Sequence, residues 1–165
     1  MNIVYLHGLD SKLSPEKKEI LEKFGNVISP EMDYYSDANS IESILKYLSD
    51  KKIDVVIGSS MGGFAGYYVS TALKKPALLF NPALKSRSVE QIIPSIPINS
   101  RSVKQFVLGA VDDVVNPGET LGFISKTFNE FTEFHIHLRT GLTHNIPLDV
   151  FEEEVGAFLN LVKTK

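Results

Sequence analysis

One serine stands where a protein chain can make it an unusually reactive nucleophile. Ser60 is the third residue of a Gly-Ser-Ser-Met-Gly run, which follows an apolar segment at 55–57 and precedes a helical pattern over 63–73. Such a strand-to-helix turn exposes the serine hydroxyl, and the flanking glycines relieve crowding across the turn. The pattern therefore favours an activated Ser60. Two other interpretations stay open: a serine that only caps the helix, and a glycine-rich turn that binds an anion.

A serine hydroxyl needs a neighbouring base, and a histidine oriented by a carboxylate commonly supplies it. In folds with this turn, the acid and then the histidine follow the serine along the chain. Asp112 comes directly after an apolar strand pattern, and His144 lies between the last strand pattern and the last helix pattern. We expect Asp112 to orient His144, with Asp113 as the rival acid. The alternatives are aspartates that only form a turn and a histidine that only neighbours a helix cap.

The other three histidines are weaker candidates for a base. His7 ends the first strand pattern, and we expect it to be a structural hydrogen-bonding group near the site. His135 and His137 alternate along a strand pattern, so they share one face of the sheet. No third ligand with the spacing of a metal site accompanies them, so the prediction is a polar strand face.

Acyl transfer places negative charge on an oxygen, which needs donors fixed in advance. The backbone N–H of Met61 follows the serine directly, and that of Leu9 lies in the loop after the first strand pattern. These two groups are the predicted oxyanion donors. The side chains of Phe64, Leu84 and Ile93 are expected to line the substrate pocket, which predicts an apolar acyl group.

Short β-rich runs alternate with helical runs, a pattern typical of a mostly parallel sheet. Six strands are predicted, at 2–6, 26–29, 54–58, 77–80, 104–109 and 133–138. Several are continuously apolar, as expected for strands covered by helices on both faces. Residues 84–101, called the flap below, interrupt this rhythm with prolines, serines and isoleucines. A helical turn near 88–93 is expected within it.

The composition excludes several kinds of protein. The 165 residues suffice for one domain, and we expect a single domain over 1–165. The net charge is -3, with no basic stripe, so no nucleic-acid partner is expected. The chain has no cysteine, and no apolar run approaches a membrane span. The first residues resemble a strand and not a signal peptide, so a cytoplasmic location is expected.

Five segments together resemble the α/β-hydrolase superfamily, and in particular its small YqiA-like esterases. They are Ile-Val-Tyr-Leu-His-Gly-Leu-Asp-Ser at 3–11, Gly-Ser-Ser-Met-Gly-Gly at 58–63, Asn-Pro-Ala at 81–83, the stretch 109–115 and the stretch 141–144. The resemblance implies a three-layer α/β/α fold with a six-stranded sheet in the order second, first, third, fourth, fifth, sixth strand. It also implies a minimal lid, ester or thioester substrates, and no cofactor or metal.

On this basis the sequence predicts a serine esterase that forms an acyl-enzyme on Ser60, with His144 and Asp112 completing the triad. The expected partner is a small-molecule acyl ester. The apolar flap is also a candidate contact for a homodimer. Two alternatives stay open: a catalytically silent binding protein on the same fold, and an enzyme that transfers the acyl group elsewhere or cleaves amides.

Overall fold

The computed structural model describes residues 1–164 and contains six strands that form one sheet. Every pairing is parallel, and the strand order is β2-β1-β3-β4-β5-β6. This order confirms the one implied by the family resemblance. The strands are β1 (Asn2–Leu6), β2 (Asn26–Ile28), β3 (Val55–Ser59), β4 (Ala77–Phe80), β5 (Ser102–Gly109) and β6 (Thr132–Arg139).

Five helices cover the two faces of this sheet. They are α1 (Pro15–Glu22), α2 (Ser40–Tyr47), α3 (Met61–Leu73), α4 (Pro117–Ser125) and α5 (Leu148–Lys163). Successive strand residues point to opposite faces, so Val4 and Leu6 pack with α2, α3 and α4, whereas Ile3 and Tyr5 pack with α1 and α5. The result is the predicted three-layer α/β/α architecture.

The ends of the helices follow from local chemistry. The Ser14 side chain accepts a hydrogen bond from the Lys17 N–H, and the Asn116 side chain accepts from Gly118 and Glu119. Both caps precede a proline that opens a helix, where the missing N–H costs nothing. Gly25 lies just beyond the first helix, where the chain passes close to Met1. The first helix ends at Glu22, and a Cβ at Gly25 would collide with the Met1 carbonyl.

The flap contains no helix or strand, all its residues being described, so the predicted turn of helix near 88–93 is wrong. Its hydrogen bonds run instead to a distant part of the chain. The Gln91 side chain donates to the Tyr34 carbonyl at 2.9 Å and accepts from the Ser40 hydroxyl, and the Ile92 N–H donates to the Ala38 carbonyl at 2.8 Å. These three long-range bonds, and not a local helix, anchor the middle of the flap.

Candidate active site

Ser60 occupies the sharp turn between β3 and α3, in a backbone conformation with φ 55° and ψ −118°. This conformation is costly for a residue with a Cβ, and it persists only where the surroundings fix it. Here the neighbouring strand's end does so. The Ser60 N–H donates to the Phe80 carbonyl at 2.9 Å, and the Ser60 carbonyl accepts from the Ala83 N–H at 3.1 Å.

Gly62 lets this turn lie against the end of β1. A Cβ on Gly62 would fall well inside van der Waals distance of the Leu6 and His7 carbonyl oxygens. No flexible side chain is available there to move aside, because the nearest atoms belong to backbone. The requirement for glycine at this position is therefore a matter of close approach between two backbone segments.

His144 lies within hydrogen-bonding distance of both other members of the predicted triad. Its Nε2 is 3.0 Å from the Ser60 Oγ, and its Nδ1 is 2.9 Å from the Asp112 Oδ2. Because a carboxylate oxygen can only accept, Nδ1 carries the proton and Nε2 is left to accept the serine proton. The side chain of His144 is 21% exposed, so solvent reaches the ring.

Asp112 follows β5 in a turn that holds its carboxylate rigidly. The side chain is fully buried, and its Oδ1 accepts the N–H groups of Val114 and Val115, each at 2.8 Å. The other oxygen thus stays directed at His144. The rival Asp113 is exposed and forms no hydrogen bond with His144, both residues being described by the structure.

Asn81 joins the acid loop to the histidine loop, a role that the sequence analysis did not assign. Its Nδ2 donates to the carbonyls of Thr143 at 2.9 Å and His144 at 3.1 Å, while its Oδ1 accepts the Gly109 N–H at 2.7 Å. Its φ is 41°, in the left-handed region that asparagine tolerates better than most residues. The only sequence signal for this role was the position of Asn81 between a strand and Pro82.

The loop after β1 brings the predicted second oxyanion donor toward the serine. His7 holds this loop through both ring nitrogens, because Nε2 accepts the Met32 N–H at 3.1 Å and Nδ1 donates to the Gly8 carbonyl at 2.8 Å. Leu9 lines the cleft at Ser60. Met61 is the first residue of α3, so its N–H has no acceptor within the helix.

A cleft of about 410 Å³ opens over Ser60 and His144. The apolar part of its wall is formed by Leu9, Met61, Ala83, Val114 and Val115, and a polar part comes from the flap.

The structure does not bring the three predicted pocket residues into this cleft. Phe64 is completely buried, Leu84 is 2% exposed, and Ile93 is 43% exposed on the flap without lining the cleft. The expectation for Phe64 was based on the apolar pattern of α3. Nine of the thirteen α3 residues are buried, so this helix has apolar residues on nearly every side. The hydrophobic pattern of such a helix does not say which side faces a ligand.

The remaining histidines pair with carboxylates. His137 Nδ1 lies 2.7 Å from Glu154 Oε2, and His135 Nε2 lies 2.6 Å from Glu133 Oε1. Within residues 1–164 no group of three His, Cys, Asp or Glu side chains is placed to hold a metal ion. Over the same residues, no helix has the length and apolar character to cross a membrane.

Several solved structures share this fold at low sequence identity. Est1E from Butyrivibrio proteoclasticus has 16% identity and a TM-score of 0.69, covering 99% of this chain and 88% of its own. Esterase PE8 has 17% identity and a TM-score of 0.70, with coverage of 98% and 92%. Alpha/beta hydrolase domain-containing protein 10 from mouse has 14% identity and a TM-score of 0.70, with coverage of 99% and 90%.

At such identities these likenesses concern the fold, which is that of the α/β hydrolases. No curated protein matches the sequence. One family model does match, over residues 2–114, and its description is "Uncharacterised protein family (UPF0227)". The match covers more than half of the chain, and the family is YqiA-like, as the sequence motifs predict. The chain therefore belongs to the family UPF0227 and has the α/β-hydrolase fold.

Proposed function

We propose that this protein is a serine hydrolase that cleaves small carboxylic esters or thioesters through an acyl-enzyme on Ser60. The observation that carries the proposal is the unbroken line of hydrogen bonds from Ser60 through His144 to the buried Asp112. A helix-capping serine would not need this arrangement, and the Ser60 side chain makes no capping bond to α3. The esterases among the structures of similar fold add support.

In the first step, the Ser60 Oγ attacks the carbonyl carbon while its proton passes to Nε2 of His144. The carbonyl oxygen becomes an oxyanion, which the N–H groups of Leu9 and Met61 stabilise. The imidazolium then gives its proton to the leaving alcohol or thiol as the tetrahedral intermediate collapses. Water repeats the sequence on the acyl-enzyme, losing its proton to the same imidazole and releasing the carboxylic acid.

Asp112 contributes by fixing the imidazole tautomer and by stabilising the imidazolium that forms in each step. Its burial keeps the carboxylate away from competing water, and the N–H groups of Val114 and Val115 fix its orientation. The exposed fraction of His144 gives the hydrolytic water a route to the base.

A fluorophosphonate probe tests this proposal, because it forms a covalent bond only with an activated serine. The native protein should be labelled, and Ser60→Ala should not. Ser59→Ala is the matched control, since the neighbouring Ser59 hydroxyl makes no hydrogen bond within residues 1–164, and this variant should be labelled like the native protein. Equal labelling of native protein and Ser60→Ala would defeat the proposal.

A panel of short acyl 4-nitrophenyl esters then tests turnover. Ser60→Ala should lower kcat by about 10⁴-fold or more, since loss of the serine from a triad costs about as much activity as loss of all three residues. Hydrolysis by the native protein no faster than in buffer would favour a binding protein built on this fold.

A further inference from the structure

We propose that the substrate carries an anionic group, a carboxylate or a phosphate, that binds Arg87 of the flap. This inference deepens the proposed function and rests on it. It also changes the expectation of a purely apolar pocket. Arg87 lines the same cleft as Ser60 and His144, and the flap serines Ser86 and Ser88 lie beside it.

The Arg87 guanidinium is only partly satisfied by the protein. Its Nη1 donates to the Leu84 carbonyl at 2.8 Å and to the Ala83 carbonyl at 3.4 Å. Its Nε is buried with no hydrogen-bond partner, the one side-chain nitrogen or oxygen in this condition among residues 1–164. The protein therefore leaves part of the hydrogen-bonding capacity of this guanidinium unused.

The positive charge of Arg87 also has no counterion. None of the ion pairs formed within residues 1–164 includes Arg87. The Glu119 carboxylate accepts a hydrogen bond from the Ser86 hydroxyl at 2.6 Å and forms no ion pair with Arg87. Asp112 is already committed to His144. An anionic ligand would therefore meet a cation that no protein carboxylate neutralises.

The guanidinium is held in one orientation, which a binding residue needs. Its central carbon lies 4.2 Å from the centroid of the Phe64 ring, so ring and cation are in contact. Phe64, expected from sequence to line the pocket, instead supports the residue that does. Nη1 is tied to the carbonyls of residues 83 and 84 and Nε is buried, so Nη2, which makes no hydrogen bond within residues 1–164, remains to donate to an anion.

This attraction is local, because the whole chain has a net charge of -3 and repels anions at a distance. A preference for anionic esters would therefore have to come from a local cation such as Arg87, and not from the overall charge of the protein. A charge-assisted hydrogen bond changes affinity by ~10-fold to ~100-fold, which kinetics resolves easily.

Two matched ester pairs test the inference, since the anion could sit on either side of the ester. Mono-4-nitrophenyl glutarate is compared with 4-nitrophenyl valerate, and 4-acetoxybenzoate with phenyl acetate, each corrected for hydrolysis in buffer. For the native protein, kcat/KM should favour the anionic member of one pair. In Arg87→Met that anionic-to-neutral ratio should fall by ~10-fold or more, mainly through KM.

Two further variants separate a binding role from a structural one. Lys85→Met removes a neighbouring exposed cation that does not line the cleft, and its ratio should equal that of the native protein. Arg87→Lys keeps the charge and should retain part of the preference. Unchanged ratios in Arg87→Met, or an equal fall in Lys85→Met, would overturn the inference while leaving the hydrolase proposal intact.

Absence of hydrolysis for all four esters would defeat the proposed function instead. The inference is then tested by calorimetric titration of glutarate and of inorganic phosphate, which also tells the two anions apart. Equal affinity of native protein and Arg87→Met for both anions would overturn it.

Discussion

The loops at the carboxyl edge of the sheet and the flap form two sides of one cleft, yet they are built differently. At the edge, backbone hydrogen bonds hold Ser60 and Asn81 to the ends of neighbouring strands, and N–H groups of its own turn hold the Asp112 carboxylate. The flap has no regular structure and is anchored chiefly through Gln91 and Ile92. Ser60 and Asp112 are thus fixed by backbone hydrogen bonds, whereas the flap side of the cleft depends on a few long-range bonds from two residues.

The largest effect should come from Gly62→Ala at the carboxyl edge. The new methyl group would collide with the Leu6 and His7 carbonyls, and we expect a loss of more than about 4 kcal/mol of unfolding free energy, or failure to fold. Denaturant unfolding measures this. Gly122→Ala is the control, because an added Cβ there meets nothing within 4 Å in an exposed part of α4. That variant should gain about 0.5–1 kcal/mol.

Asn81→Gly should be the next most damaging change at this edge. It keeps the positive φ accessible but removes hydrogen bonds to Thr143, His144 and Gly109, which costs about 2–4 kcal/mol of stability. It should also lower kcat for a neutral ester by about 10²-fold, because His144 is no longer held in place. Asn39→Gly, at a residue whose side chain caps nothing, is the control. A kcat equal to that of the native protein would remove Asn81 from its positioning role.

Gln91→Ala tests the other side of the comparison. Loss of the bonds to Ser40 and Tyr34 should cost about 1–3 kcal/mol of stability. Because Gln91 has no contact with the triad, kcat for a neutral ester should stay within a few-fold of native, and KM should carry the change. Glu90→Ala, exposed and adjacent, should change neither quantity. A kcat as low as in Asn81→Gly would mean that the flap and the edge are not separable.

A smaller, graded effect should come from Lys104, buried beneath α3. Its Nζ donates to the Ser70 hydroxyl at 2.7 Å, and burial lowers the pKa of its ammonium to about 7. Between that pKa and the ordinary value of 10.5, the unfolded chain binds a proton that the folded protein lacks. Stability therefore rises with pH across this window, by at most about 1.4 kcal/mol per pH unit from this group.

The measurement is urea unfolding at pH 7, 8 and 9 for the native protein and Lys104→Met. The unfolding free energy of the native protein should rise relative to that of Lys104→Met as the pH increases. A constant difference would show that Lys104 titrates normally despite its burial.

Much of the fold followed from local patterns. The strand runs predicted all six strands within two residues at each end. The signal is strongest for β1, β3, β4 and β5, which are buried along nearly their whole length. The Gly-Ser-Ser-Met-Gly turn and the order of Asp112 and His144 predicted which side chains the structure brings together. The turn at Ser60 is encoded locally, and the three side chains meet because the parallel strands that precede them all end at one edge of the sheet.

What the sequence did not reveal depends on long-range packing. Asn81 joins loops that are 62 and 28 residues away, and no local pattern encodes such bonds. The burial of Phe64 and the entry of Arg87 into the cleft depend on how the flap folds back. The flap itself follows bonds to residues 34–40, which no local pattern indicates, and this is why the expected helical turn is absent.

The connection between β4 and β5 has a consequence for how the chain could be divided. Ser60 precedes this crossover, whereas Asp112 and His144 follow it, and β4 pairs directly with β5. A cut at exposed Ser95 would therefore leave two fragments, each with an incomplete set of reacting groups and each with one partner strand. Regained ester cleavage on mixing would then report fragment complementation, a use that follows from the path of the chain alone.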